Sequence, residues 1–249
     1  MIHLFQEVFY RPILNLLVLL FNIIPGNDLG IAIILLTVII KMILYPLSQK
    51  SIQSQKALQD LQPKIEEVKK KYKDNKEEQS KAMLSLYKEN KVNPFSSCFP
   101  LLVQLPFLIA IFQVFKDGLG EKSLSLTYSF ITRPDFINTV FLGINLSKPN
   151  IILAILAGLA QFWQAKMMLT KRPEIKAEGS KDEDLSAIMN KQMIYFAPIF
   201  TVFIGMSMPG GLSLYWFIST LMTALQQLYI LKYKNTKGKD IPDSGVTVQ

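Results

Sequence analysis

One cysteine, Cys98, and one histidine, His3, are all that 249 residues contain of the two side chains most used for thiol and soft-metal chemistry. An intrachain disulfide is excluded by count, and so is a multi-ligand Cys/His metal site; no cofactor motif stands in their place. Redox compartment is unreadable from one thiol. Carboxylates are also missing where they would count most, because the long apolar runs hold no Asp or Glu. Proton-coupled transport through a membrane carboxylate relay therefore loses its usual support. Charge is scarce overall, at 18% of residues, while 50% are apolar or aromatic and mean hydropathy is +0.26. A disordered chain is excluded by that balance, and a membrane protein is the class it favours.

The apolar residues fall into runs of spanning length. Residues 29–47 carry a single charge and, at about 1.5 Å rise per residue, nearly cover a hydrocarbon core of about 30 Å. Similar runs lie at 95–115, 151–169, 193–208 and 212–231. The expected fold is thus an all-α polytopic membrane protein with five transmembrane helices. Only Pro209, Gly210 and Gly211 separate the last two runs, which predicts a tight helical hairpin. Lysine and arginine set the orientation: 21 lie within 48–93, 166–192 and the segment from 232 onward, against five in the opposite loops and N-terminal segment. That bias places the N-terminus outside and the C-terminus in the cytoplasm. The net charge of +8 reads mainly as this topology signal, and DNA is not an expected partner.

Residues 1–27 hold Glu7, Arg11, Asn15 and Asn22 at spacings of 4, 4 and 7, within about 80° of one another on a helical wheel. No small-x-small cleavage site follows. The expectation is an amphipathic helix in the outer interface rather than a sixth span. The core then runs over 28–232 and includes a polar insert at 50–91. There Leu58, Leu61, Ile65, Val68 and Tyr72 alternate spacings of 3 and 4, a second stretch carries Leu84 and Tyr87, and residues 73–76 form a polar turn. Two short helices paired seam to seam fit this pattern. Glu66 with Lys70, Glu67 with Lys71 and Glu77 with Lys81 are pairs four apart that support exposed helices. Charge alone leaves two readings of this cytoplasmic hairpin open: a solvated element that enforces topology, or a docking arm for anionic lipid, ribosomal RNA or a partner protein. Residues 233–249 are expected to be a short flexible cytoplasmic tail.

Lys41 lies deep in the first run. An ionisable residue there costs about 2.5 kcal/mol or more, so it is the first functional candidate; the plain alternative is a lysine snorkelling to the inner interface. Thr37 sits one turn earlier on the same face. The other runs supply Gln104, Gln161, Gln164, Ser213, Ser219, Thr220, Thr223, Gln226 and Gln227, many of which interhelical hydrogen bonding would explain. With no carboxylate in the runs to pair it, Lys41 should face a cavity holding water or an anionic or polar ligand. Two rivals follow from the same residues: a small-anion channel or transporter, and a Ser/Lys intramembrane protease. No nucleophile motif supports the protease.

Four stretches resemble one family. They are LGIAIILLTVIIKMILYPLSQKS at 29–51, LQPKIEEVKKKY at 61–72, LYKENKVNPFSSCFPLLVQLPFLIAIF at 86–112 and PGGLSLYWFISTLMTALQQLYI at 209–230. Taken in order, they are similar to the YidC membrane-protein insertases of bacteria, relatives of the mitochondrial Oxa and chloroplast Albino proteins. The resemblance covers roughly residues 5–232. It implies a five-span core with a hydrophilic groove open to the cytoplasm and to lipid and closed on the outer side, in the bacterial plasma membrane. Lys41 would occupy the position of the groove cation, Thr37 that of the threonine one turn earlier, and Tyr215 and Trp216 that of the substrate-contacting aromatic pair. Gln161 falls on the polar face of the third span. The implied partners are nascent membrane proteins and membrane lipids, with the ribosome, targeting machinery and Sec translocon behind them; no catalysed turnover is implied. Three features depart from the pattern. Lysine replaces the usual arginine, keeping charge but losing the planar fork. The outer loop at 116–148 is only loop-sized, so the large periplasmic domain of some relatives is absent, and the tail after Tyr233 is not strongly basic.

Overall fold

The computed structural model describes residues 2–93, 99–117, 119–167 and 195–233. The expected tail and most of the basic loop at 166–192 lie outside the described residues, as do the first residues of the runs at 95–115 and 193–208.

Helix α1, His3–Ile23, contains a π-helical stretch at Gln6–Tyr10. Its polar stripe is divided: Glu7 and Arg11 pair with each other on the exposed side at 2.8 Å, while Asn15 and Asn22 turn to a loop. Asn15 is 2% exposed; its Nδ2 donates to the Arg11 carbonyl (2.8 Å) and the Leu126 carbonyl (3.3 Å), and its Oδ1 accepts from the Tyr128 backbone N–H (2.6 Å). Asn22 donates to the Thr132 carbonyl at 2.7 Å, and Arg11 lies over the Tyr128 ring. The two asparagines therefore anchor the loop at 125–133 by taking the Leu126 and Thr132 carbonyls and the Tyr128 N–H.

Asp28 caps α2, Leu29–Ile43, by accepting from the Ile31 N–H. The run expected to continue to residue 47 stops there. Pro46 lacks an N–H, and its ring crowds the carbonyl of Met42, so α3, Tyr45–Asp60, departs at 67° from α2. Then come α4, Gln62–Lys71, and α5, Lys76–Glu89, with Asn75 capping α5 by accepting from the Glu77 and Glu78 N–H groups. These two helices pack against each other. Leu61 and Ile65 are buried, but Leu84 is 58% exposed; α5 presents Ala82, Met83, Leu86 and Tyr87 inward instead. Burial pushes the Tyr87 hydroxyl pKa up.

The remaining apolar helices are α6, Phe99–Lys116, α8, Ile151–Met167, α9, Tyr195–Gly205, and α10, Gly210–Tyr233, with a one-turn helix α7 at Glu121–Leu124. Among the described residues, α1 and α10 are each long and apolar enough to cross a membrane. The bent α2–α3 pair is a third if taken as one span, and α6, α8 and α9 are shorter apolar helices. The fold is thus that of a helical membrane protein. Among the described residues, the one departure from all-α is a two-stranded hairpin, β1 (Val140–Phe141) and β2 (Ile144–Asn145), turned by Leu142 and Gly143 at positive φ.

Helix α10 packs chiefly on α8 and then on α2, while α1 lies on α2 and α6. Small residues permit close approach: a Cβ on Gly158 of α8 would sit 2.4 Å from Val202 Cγ2 of α9. The expected turn at Pro209, Gly210 and Gly211 follows α9 closely. Loop carbonyls take the first N–H groups of α10: Gly210 N donates to Lys148 O (2.9 Å) and Gly211 N to Leu146 O (2.8 Å). This is the end of the bundle at which α2, α8 and α10 begin.

Candidate functional site

At the other end, three helices gather one cation among neutral polar groups. Lys41 stands in the last turn of α2. Its Nζ donates to Gln104 Oε1 of α6 at 3.3 Å and to Thr223 Oγ1 of α10 at 3.0 Å. Thr223 in turn donates to the Ser219 carbonyl at 2.9 Å. Gln104 Nε2 donates to the Tyr215 hydroxyl, and the Ser219 side chain pairs with the same phenol. Tyr215 is 1% exposed. Among the described residues no carboxylate joins this network. An ammonium held only by dipoles needs further solvation, and the surroundings provide a route for it. Lys41, Met42, Tyr45, Met222, Gln226 and Tyr229 line an open pocket of about 310 Å³. Gln226 closes one wall by donating to the Tyr45 carbonyl at 3.3 Å.

The structure separates the residues expected to act together. Lys41, Gln104 and Tyr215 share one network. Thr37 is fully buried and spends its hydroxyl on the Ile33 carbonyl at 2.7 Å. Gln161 pairs with Thr201 across α8 and α9, and Gln164 lies half-buried three residues further on. Ser213 is buried near the first turn of α10, 3.4 Å from the Gly205 carbonyl to which it donates. Thr220 is buried and Trp216 half-buried on α10. Thr223 was not singled out as a site residue from the sequence, although Tyr215, Ser219 and Thr223 recur every four residues and so share a helix face. Met42, Tyr45, Met222 and Tyr229 carry no such polar signal.

Apolar helices packed around a neutral polar network, with one ammonium in it among the described residues, define a helical membrane protein with a lysine-lined polar pocket. By sequence the chain belongs to the 60Kd inner membrane protein family, whose model matches residues 20–237. A relative from Fusobacterium nucleatum, named Membrane protein insertase YidC, is 35% identical over 206 residues, covering 83% of this chain and 87% of its own. The protein of that name from Clostridium tetani is 33% identical over 219 residues, 87% of this chain and 88% of its own. Another, from Chlamydia caviae, is 34% identical over 236 residues, 92% of this chain but 28% of its own length. The chain thus spans most of the first two relatives and under a third of the other. The family is the one that the four motifs resemble.

Proposed function

We propose that this chain is a membrane protein insertase and chaperone of the bacterial plasma membrane. It receives polar segments of nascent membrane proteins in the pocket at Lys41 and releases their hydrophobic segments into lipid. In this reading α2, α6, α8, α9 and α10 are the five spans, α1 lies in the outer interface, and the Lys41 end faces the cytoplasm together with α3, α4 and α5. Ribosome, targeting machinery and Sec translocon would approach from that side. Family membership and the names of the relatives support the class of activity.

The observation that carries the mechanism is the ammonium of Lys41 held by Gln104 and Thr223 beside an open pocket. A polar segment leaving water loses hydrogen bonds worth several kcal/mol in hydrocarbon. Neutral donors and acceptors around one cation replace part of that hydration, most of all for acidic segments. A protease would need the lysine to take a proton from a hydroxyl. Here the Thr223 proton points to the Ser219 carbonyl and Lys41 donates, which supports the binding role instead.

Reconstitution into vesicles tests the reading. Insertion of a single-span test protein is the expected result; anion flux or cleavage without insertion would replace it.

A further inference from the structure

A second cavity, of about 390 Å³, lies apart from the Lys41 pocket and is lined by Lys50, Gln53, Ser54, Ala57, Lys91 and Val92. Four of these are one face of α3. The other two follow α5, where Lys91 adopts φ 52°, with its N–H bonded to the Lys88 carbonyl and the Val92 N–H to the Tyr87 carbonyl. That left-handed turn folds the chain back toward α3 and sets a second ammonium across from Lys50. No carboxylate lines the cavity. Among the described residues neither lysine has an ion-pair partner. The Ser54 hydroxyl is spent on the Lys50 carbonyl at 3.0 Å, so two cations and the Gln53 amide make the anion site, one of phosphate chemistry.

The 67° bend decides which phosphate. With α2 crossing the bilayer as proposed above, α3 rises only about 0.6 Å per residue along the membrane normal. From Tyr45 to Ala57 it climbs about 7 Å, within the thickness of one headgroup layer. Exposed Met42 and Ile43, at 67% and 69%, mark the apolar boundary just before it. The cavity therefore stays at the depth of lipid phosphates. We infer that it binds the phosphate of an anionic phospholipid headgroup, holding α3 along the membrane beside the mouth of the Lys41 pocket.

The test is native mass spectrometry of the full chain released from detergent with phosphatidylglycerol or phosphatidylcholine, with millimolar inorganic phosphate as a competitor. Wild type should retain one phosphatidylglycerol in preference to phosphatidylcholine. Lys50→Gln with Lys91→Gln should weaken retention roughly 30-fold, the loss of two charge contacts, while Lys50→Arg with Lys91→Arg should keep it. A control pair, Lys73→Gln with Lys76→Gln, removes the same charge at the distant turn and should change little. Equal loss in the control pair would assign retention to bulk charge and overturn the site. Displacement of the lipid by inorganic phosphate, or no retained lipid at all, would overturn the headgroup assignment.

Discussion

Lys41 is the residue on which the proposed activity depends, and three substitutions separate charge from shape. Lys41→Arg should retain insertion, because a hydrated pocket asks for charge more than for one geometry. Lys41→Ala should impair test proteins with short acidic external segments most, by about tenfold if one partly screened charge contact is lost, and should leave the fold intact, since no carboxylate is left unpaired and the released Gln104 and Thr223 lie beside an open pocket. Lys41→Glu should be worse than alanine on the same substrates. Insertion assays with acidic and neutral substrates read all three, and equal activity of Lys41→Ala and wild type on every substrate returns the residue to a snorkelling role. A different outcome belongs to Asn15, whose side chain makes three bonds in a buried setting. Asn15→Ala should cost about 1–3 kcal/mol, seen as a lowered midpoint of thermal unfolding in detergent. Lys41 was legible in the sequence because a charge in an apolar run has no cheap explanation. Asn15 was legible only as polar: its partners are loop backbone groups, which every sequence possesses, so the spacing of the stripe could not distinguish loop from water.

Helix contacts were partly written in composition and partly hidden by register. The breaker at Pro209, Gly210 and Gly211 and the apolar runs identify α9 and α10, because no helix passes through such a cluster. Pro46 is an equally plain signal at the end of α2, yet the apolar residues beyond it make a longer run look continuous. Pro46→Ala should let the Tyr45–Asp60 helix swing toward the axis of Leu29–Ile43, shortening no helix but opening the 67° bend. Spin labels at Ile34 and Gln59, with Cys98→Ser, would report a longer separation; an unchanged distance assigns the bend to packing against α10. At the other interface, Gly158→Ala should lower the thermal midpoint, with Gly158→Val lowering it further, by about 1–3 kcal/mol as for overpacked cores. Val202→Ala should recover part of the loss in Gly158→Ala, since Val202 is the nearest atom to the added methyl. The α5 seam was misjudged for a simple reason. Leu84 is the more apolar choice, but a short polar helix buries whichever face its turn directs inward, and that face holds Met83 and Leu86.

At the scale of the whole chain, the lysine and arginine bias predicts which side each end occupies. Reporter fusions at Asn150 and after Lys232 should report outside and cytoplasm respectively, and an external signal from the second contradicts the proposed topology. Helix α5 packs chiefly on α4, and α4 on α5 and α3, so replacing residues 64–88 by a Gly/Ser bridge should leave thermal stability nearly unchanged while reducing insertion. A chain that no longer folds would make them structural. The two ends of the bundle also differ in how they are fastened. Around Gly210 the main chain itself is stitched, through the Lys148 and Leu146 carbonyls and a bridge between Pro149 and Pro209, whereas the Lys41 end is tied by side chains that swing on rotatable bonds. Under the proposed function, a segment entering beside Lys41 would act as a wedge driven into the yielding end of a splint whose far end stays bound. Ion gradients across the bilayer should then survive each entry, because the seam that would leak is the one that does not part.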